Sequence, residues 1–207
     1  MDAQIQKIKA WLGSGSINIF GRPFSGKDTQ AHALTDSLGG VVIAGGAILR
    51  SYPDQEKIKE LSATGELFPI DFYLKVILPF LCKPEFNGKP LILSSVGRWH
   101  GEEPAIMKAT ADSGHPTKAV ILLSLTEDDV WQRQKQAAVN QDRGKRLDDT
   151  HAALDIRLDE FRNKTMPAIE FYRQKRLLVE VDGTKSRQQV TKEILDKLEE
   201  LAINQNA

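Results

Sequence analysis

Ile17-Asn18-Ile19-Phe20 runs directly into Gly21-Arg22-Pro23-Phe24-Ser25-Gly26-Lys27-Asp28-Thr29-Gln30, and a helical pattern follows. Strand, glycine-bounded loop, lysine and helix, in that order, suit the binding of phosphate. Backbone N–H groups of the loop and the helix N-terminus converge on an anion. The Lys27 ammonium adds a point charge for the outer phosphates. Such loops commonly continue with Ser or Thr, whose hydroxyl binds Mg²⁺; here Asp28 stands in that place and Thr29 comes one residue later. A carboxylate there serves either as an oxygen ligand for Mg²⁺ or as an acid favoured in the first helix turn by the helix dipole. The bland alternative, a glycine turn with a surface lysine, does not account for the strand before and the helix after.

The elements around this loop follow from hydropathy. Short apolar, β-rich runs lie at Ile17–Phe20, Gly40–Ile43, Leu91–Ser94, Ala119–Leu123 and Leu177–Val181. Helical patterns separate them, near 27–38, 46–82, 102–112, 127–139, 149–174 and 186–203. This alternation predicts an α/β fold, a five-stranded parallel sheet with helices on both faces. Pro53, Gly65 and Pro69 interrupt 46–82, which predicts a small helical insertion rather than one crossover helix. Ile5, Ile8, Trp11 and Leu12 make an amphipathic helix ahead of Gly13-Ser14-Gly15-Ser16, expected to pack against the sheet edge.

The chain has 207 residues, room for one α/β domain with its own core. Lys plus Arg and Asp plus Glu each total 28, which argues against nucleic-acid binding carried by bulk charge. The one cysteine, Cys82, excludes an internal disulfide and fits a reducing cytoplasm. No apolar run reaches the roughly 18 residues of a membrane span, and Met1–Ala10 lacks the apolar core of a signal peptide. The four histidines show no metal-ligand spacing.

The loop resembles that of the adenylate kinase family, Gly-x-Pro-Gly-x-Gly-Lys-Gly-Thr-Gln. Gly21, Pro23, Gly26, Lys27, Thr29 and Gln30 agree, whereas Phe24 and Asp28 replace glycines. The resemblance continues in order across roughly residues 17–201. Ile43 to Arg50 is similar to Ile-Ser-Thr-Gly-Asp-Leu-Leu-Arg, with Gly45 and Ala47 in place of the Thr and Asp. Gly65 to Pro69 resembles the turn that closes the monophosphate-binding insertion. Leu91 to Arg98 falls where the family has a strand ending Leu-Asp-Gly-Phe-Pro-Arg, and Ser94 replaces the aspartate that supports Mg²⁺ there. Val181-Asp182-Gly183-Thr184 matches the loop that borders the donor adenine.

The resemblance implies a P-loop, adenylate kinase-like nucleoside monophosphate kinase with ATP and Mg as cofactors, active in nucleotide biosynthesis, with AMP the favoured acceptor. It places Gly21, Pro23, Ser25, Gly26, Lys27, Asp28, Thr29, Arg133, Gly183 and Thr184 around ATP. It places Gly45, Arg50, Arg98, Glu102, Arg146 and Arg157 around the acceptor. Lys27, Arg98, Arg133, Arg146 and Arg157 are the expected catalytic residues. Asp28 stands where the family has glycine; it is the candidate Mg ligand on its own chemistry, supplying the carboxylate that Ser94 lacks, with capping or solvation of the first helix turn the alternative. Arginine suits the work because its planar fork stays charged and grips phosphate bidentately. For Arg157, between Asp155 and Asp159, salt bridging along an exposed helix is the alternative. Ala137 stands where the family has a further arginine; Arg143 is the candidate to compensate, with surface salt bridging again the alternative.

Glu102 lies where adenylate kinases carry a base-reading Gln, yet Gly101-Glu102-Glu103-Pro104 also reads as a helix start. A carboxylate accepts hydrogen bonds and donates only when protonated. CMP or GMP is therefore an alternative acceptor, and a catalytically weakened nucleotide-binding homologue is a second class. A kinase acting on a hydroxyl is a third, disfavoured because no Asp follows Leu93 to act as base.

The expected organisation is an N-terminal helix and joint (1–16) and a single kinase domain (17–203). Within the latter, 17–44, 84–136 and 147–203 form the core, 45–83 the NMP-binding insertion and 137–146 a short lid. Expected partners are a small-molecule monophosphate, no nucleic acid and no membrane, for a monomeric cytoplasmic protein.

Overall fold

In the computed structural model, which describes residues 2–54, 56, 58, 66–140 and 150–206, five strands form one parallel sheet. They are β1 (Ser16–Gly21), β2 (Val41–Ala44), β3 (Leu91–Ser94), β4 (Thr117–Ser124) and β5 (Leu178–Asp182). Their order across the sheet is β2-β3-β1-β4-β5. Every residue of β1 and β3 is buried, although β1 carries the amide of Asn18 among its apolar residues and β3 ends on Ser94.

Register sets the working edge. Ile19 pairs with Ser94, Ala44 with Ser94, Gly21 with Leu123, and Ser124 with Asp182. The chain leaves β1 toward one side of the sheet and β3 toward the other. A crevice therefore opens beyond the carboxyl ends of these adjacent strands, the usual ligand position in open α/β sheets.

Helices cover both faces. On one face α1 (Asp2–Leu12), α2 (Lys27–Leu38) and α9 (Arg187–Asn206) enclose a core that includes Ile17, Ile19, Ile121, Leu34 and Ile194. The first helix differs from its expected place at the sheet edge. It lies along α9, through Gln4 Nε2 to Asp196 (3.0 Å), Lys7 to Glu199 (2.9 Å) and Trp11 Nε1 to Gln205 (2.9 Å). Ile8, Trp11 and Leu12 have an apolar face to bury, and α9 with the sheet supplies the larger surface.

The insertion contributes α3 (Gly45–Arg50) and α4 (Ile70–Leu81), whose Ile48, Leu49, Tyr73, Ile77 and Leu81 pack with Leu91 and Leu93 of the sheet. Beyond β3 follow α5 (Glu103–Asp112) and, after β4, α6 (Glu127–Asn140). The single pattern expected over 149–174 divides into α7 (His151–Glu160), a π turn (Phe161–Thr165) and α8 (Met166–Gln174). Pro167 explains the break: it has no N–H to offer the carbonyl of Asn163 and its ring crowds that turn.

Candidate functional site

The loop after β1 is shaped by backbone conformation. Gly26 has φ 86°, a left-handed angle that glycine adopts without steric cost, and it caps α2. Phe24 also has positive φ, 61°, at a position where the resemblance has glycine. For a residue with a Cβ this costs about 1–2 kcal/mol. Its side chain packs against the cluster of Leu125, Val130, Leu154 and Leu158, which anchors the loop to α6 and α7.

Lys27 turns into this loop, its Nζ donating to the carbonyls of Gly21 and Arg22 at 3.0 Å each. Arg133, on α6, bridges two segments: one guanidinium nitrogen donates to Phe24 O (3.2 Å) and the other to Gly183 O (2.5 Å). It thereby ties the loop to the turn after β5. Gln30 fastens the far side, donating to Arg187 O (3.1 Å) and accepting from Thr191 Oγ1 (2.8 Å).

A cavity of about 710 Å³ opens over these elements. Of the expected site residues, Pro23, Ser25, Gly26, Lys27, Asp28, Thr29, Gly45, Arg50, Arg98, Arg133, Arg157 and Gly183 line it. Cations drawn from α2, α3, the β3 exit, α6 and α7 thus face one space. Three expected residues lie elsewhere among those described. Gly21 closes the loop beneath as an acceptor of Lys27. Thr184 turns its hydroxyl to Asp182 (2.6 Å), and that bond with the one from its N–H holds the Asp182 carboxyl below its usual range. Glu102 lines a small adjoining cavity with Leu49, Phe68, Tyr73 and Arg98. Arg146, and Arg143 with it, lie outside the described residues.

Glu102 is 2% exposed and accepts from the Trp99 N–H at 3.1 Å. Burial pushes its carboxyl up to about 7, although the Trp99 N–H and the nearby Arg98 guanidinium pull the other way.

Ser94, at the end of β3, donates its hydroxyl to Asp28 Oδ1 at 2.7 Å. Two hard oxygen-bearing side chains therefore meet beside Lys27, the donor class that Mg²⁺ takes. Among the described residues no group of three or more His, Cys, Asp or Glu could hold a metal by itself.

Several residues of the site gave little sequence signal. Asn18, buried in β1, donates to Val96 O (2.6 Å) and accepts from the Val96 N–H (3.3 Å), fixing the β3 exit; a lone amide inside an apolar strand was its trace. Tyr73 Oη accepts from the Gly97 N–H at 3.1 Å. Glu160 accepts from the Leu67 N–H (3.0 Å) and pairs with Lys164 (2.7 Å), joining the insertion to the end of α7. Lys185 and Arg187 add charge to the cavity rim.

No protein-family model matches the chain. It is 33% identical over 182 residues to the adenylate kinase of Parvibaculum lavamentivorans, a match covering 85% of this chain and 88% of that one. To the adenylate kinase of Nitrobacter hamburgensis it is 32% identical over 191 residues, covering 88% and 91%. To that of Thermus thermophilus it is 28% identical over 174 residues, covering 81% and 88%. Among solved structures it is similar to a gluconokinase from Sinorhizobium meliloti 1021, with TM-score 0.64, 20% identity and coverage of 93% and 96%. That last likeness speaks for the fold.

Proposed function

The chain belongs to the adenylate kinase family and is a phosphotransferase of the nucleoside monophosphate kinase type; from that premise we propose that it moves the γ-phosphoryl group of ATP reversibly to AMP. The observation that carries this reading is the convergence of Lys27, Arg50, Arg98, Arg133 and Arg157 on one cavity above the glycine loop.

An oxygen of the acceptor phosphate attacks the γ-phosphorus while the bond to the β,γ-bridging oxygen breaks. That oxygen already carries charge, so no general base is required. Catalysis is then positioning and electrostatic stabilisation. Lys27 and the loop amides hold the donor phosphates, and the donor adenine lies beside Gly183 and Thr184. Arg50 and Arg98 hold the acceptor phosphate, and Glu102 faces the acceptor base. Arg133, Arg157 and Arg146 gather charge around the transferring group. Mg²⁺, when bound with ATP, neutralises charge on the phosphates. Closure over the cavity excludes water, which would otherwise compete as acceptor.

The second reading, a homologue that binds nucleotide with weakened turnover, is motivated by Gly45, Ala47, Ser94 and Ala137 at positions the family uses. A coupled assay of ATP against AMP, CMP, GMP, UMP and the deoxynucleotides decides between them. AMP as the fastest acceptor supports the proposal. Another base as fastest acceptor moves the specificity, and ATP binding with no turnover on any acceptor replaces the proposal with the second reading.

A further inference from the structure

An acid inside a phosphate site calls for a physical reason. Among the described residues the cavity is lined by seven Lys or Arg side chains and by only two carboxylates, Asp28 and Glu66. Asp28 is the one on the phosphate loop side, on the residue directly after Lys27 in the first turn of α2. A carboxylate facing bound phosphate repels it, and the repulsion is strong where water is displaced. A divalent cation between the two reverses the sign, because Mg²⁺ takes carboxylate and phosphate oxygens together.

The placement of Asp28 is specific. Ser94 donates to its Oδ1 at 2.7 Å, although 66 residues separate them. Ser94 is paired with Ile19 of β1 and with Ala44 of β2, so the carboxylate is held over the carboxyl end of β3, between β1 and β2. Ser94 itself is 3% exposed, and its hydroxyl spends its proton on Asp28. An aspartate at position 94 would put its own carboxylate into the place where Asp28 now reaches.

We propose that Asp28, oriented by Ser94, is the carboxylate through which this chain holds the divalent cation that accompanies ATP. This rests on the phosphotransfer reading above and specifies its metal subsite. The loop lysine and the metal carboxylate then come from consecutive residues on one rigid helix turn, and Ser94 acts as a positioning residue.

Isothermal titration of ATP, once with Mg²⁺ and once with EDTA, tests the proposal without turnover. Wild type is expected to bind Mg·ATP about tenfold more tightly than metal-free ATP, equivalent to about 1.4 kcal/mol. In Asp28→Asn, nearly the same shape without the charge, that preference disappears. Adding Ser94→Asp to Asp28→Asn brings it back, with thermal melts confirming that each variant is folded. A preference that survives in Asp28→Asn overturns the proposal, as does a double variant that stays indifferent to the metal. Equal binding of both forms by wild type overturns the metal site while the nucleotide reading stands. Binding of neither form overturns both.

Discussion

The hydroxyl of Tyr73 fills the space into which a side chain at position 45 would project. A Cβ on Gly45 would lie 2.8 Å from Tyr73 Oη and 3.0 Å from the carbonyl of Ser95. The same hydroxyl accepts from the Gly97 N–H, and burial pushes the phenol far above its usual range, so it stays neutral. Gly45 and Tyr73 thus form a matched pair, a small residue on α3 answered by a large one on α4. A threonine at position 45, the residue the resemblance has there, would require this tyrosine to shift.

Gly45→Ala alone is expected to cost about 1–3 kcal/mol, the range for overpacking a filled site. Tyr73→Phe alone leaves the Gly97 N–H without its acceptor, at about 1–3 kcal/mol. Together they should cost less than the sum, because removing the hydroxyl clears the nearer of the two contacts. Urea denaturation of the four proteins measures the coupling. Strict additivity would show that the pair does not interact.

Lys27→Met and Arg98→Ala should each lower kcat by roughly a thousandfold, since both act where charge develops. Neither belongs to a core cluster, so the melting temperature should move by only a few degrees. Coupled-assay kinetics beside thermal melts check this. Near-normal rates in either variant remove that residue from the machinery.

Glu102 makes stability depend on pH with a definite sign. Its folded-state value, about 7, lies above its ordinary 4.5, so the folded chain binds more protons between those limits. The titratable and charged groups that interact with it are Arg98, Glu103, Tyr73 and Tyr172. Its contribution is fully present below pH 4.5 and is lost as pH rises through 7, by on the order of 3 kcal/mol. Glu102→Gln lacks this loss, so the variant should gain on wild type between pH 4.5 and 8 in urea titrations. The neutral acid also donates and accepts as an amide does, whereas the carboxylate only accepts. KM for AMP should therefore rise above pH 7 in wild type and stay level in Glu102→Gln. A pH-independent difference between the two proteins would refute both expectations.

Arg133 holds Phe24 O and Gly183 O with separate guanidinium nitrogens, a span that a lysine ammonium does not reproduce. Arg133→Lys is expected to raise KM for ATP by roughly tenfold, the loss of one charge-assisted hydrogen bond. Steady-state kinetics with ATP varied give the value. An unchanged KM would mean that the bridge does not shape the donor site.

Much of the architecture was legible because buried parallel strands and their helices have local signatures. Leu91–Ser94 has the same bounds in sequence and structure, and the loop from Gly21 to Gln30 carries its strand and helix with it. Phe24 was harder to place. Its substitution for glycine departs from the resemblance, and only the packing against Leu125, Val130 and Leu158 explains why a positive φ is tolerated. The break at Phe161–Thr165 left one trace, Pro167, inside a pattern that otherwise ran on. Glu102 read equally well as a base reader or as a first-turn acid; its position lining a small cavity beside Arg98 and Tyr73 depends on α4 packing against the β3–α5 connection.

By itself the sequence determined the alternation of strands and helices, the phosphate loop and the identities of the charged residues, because each depends on neighbours a few positions away. The tertiary structure alone decided the order β2-β3-β1-β4-β5, and with it which side chains meet. Ser94 touches Asp28 because β3 lies beside β1, from whose carboxyl end the loop leads into α2. Tyr73 answers Gly45 because α4 folds back over α3. Hydropathy period and turn chemistry act along the chain, whereas these contacts act across a parallel sheet whose neighbouring strands are joined by long crossovers, so residues far apart in sequence meet.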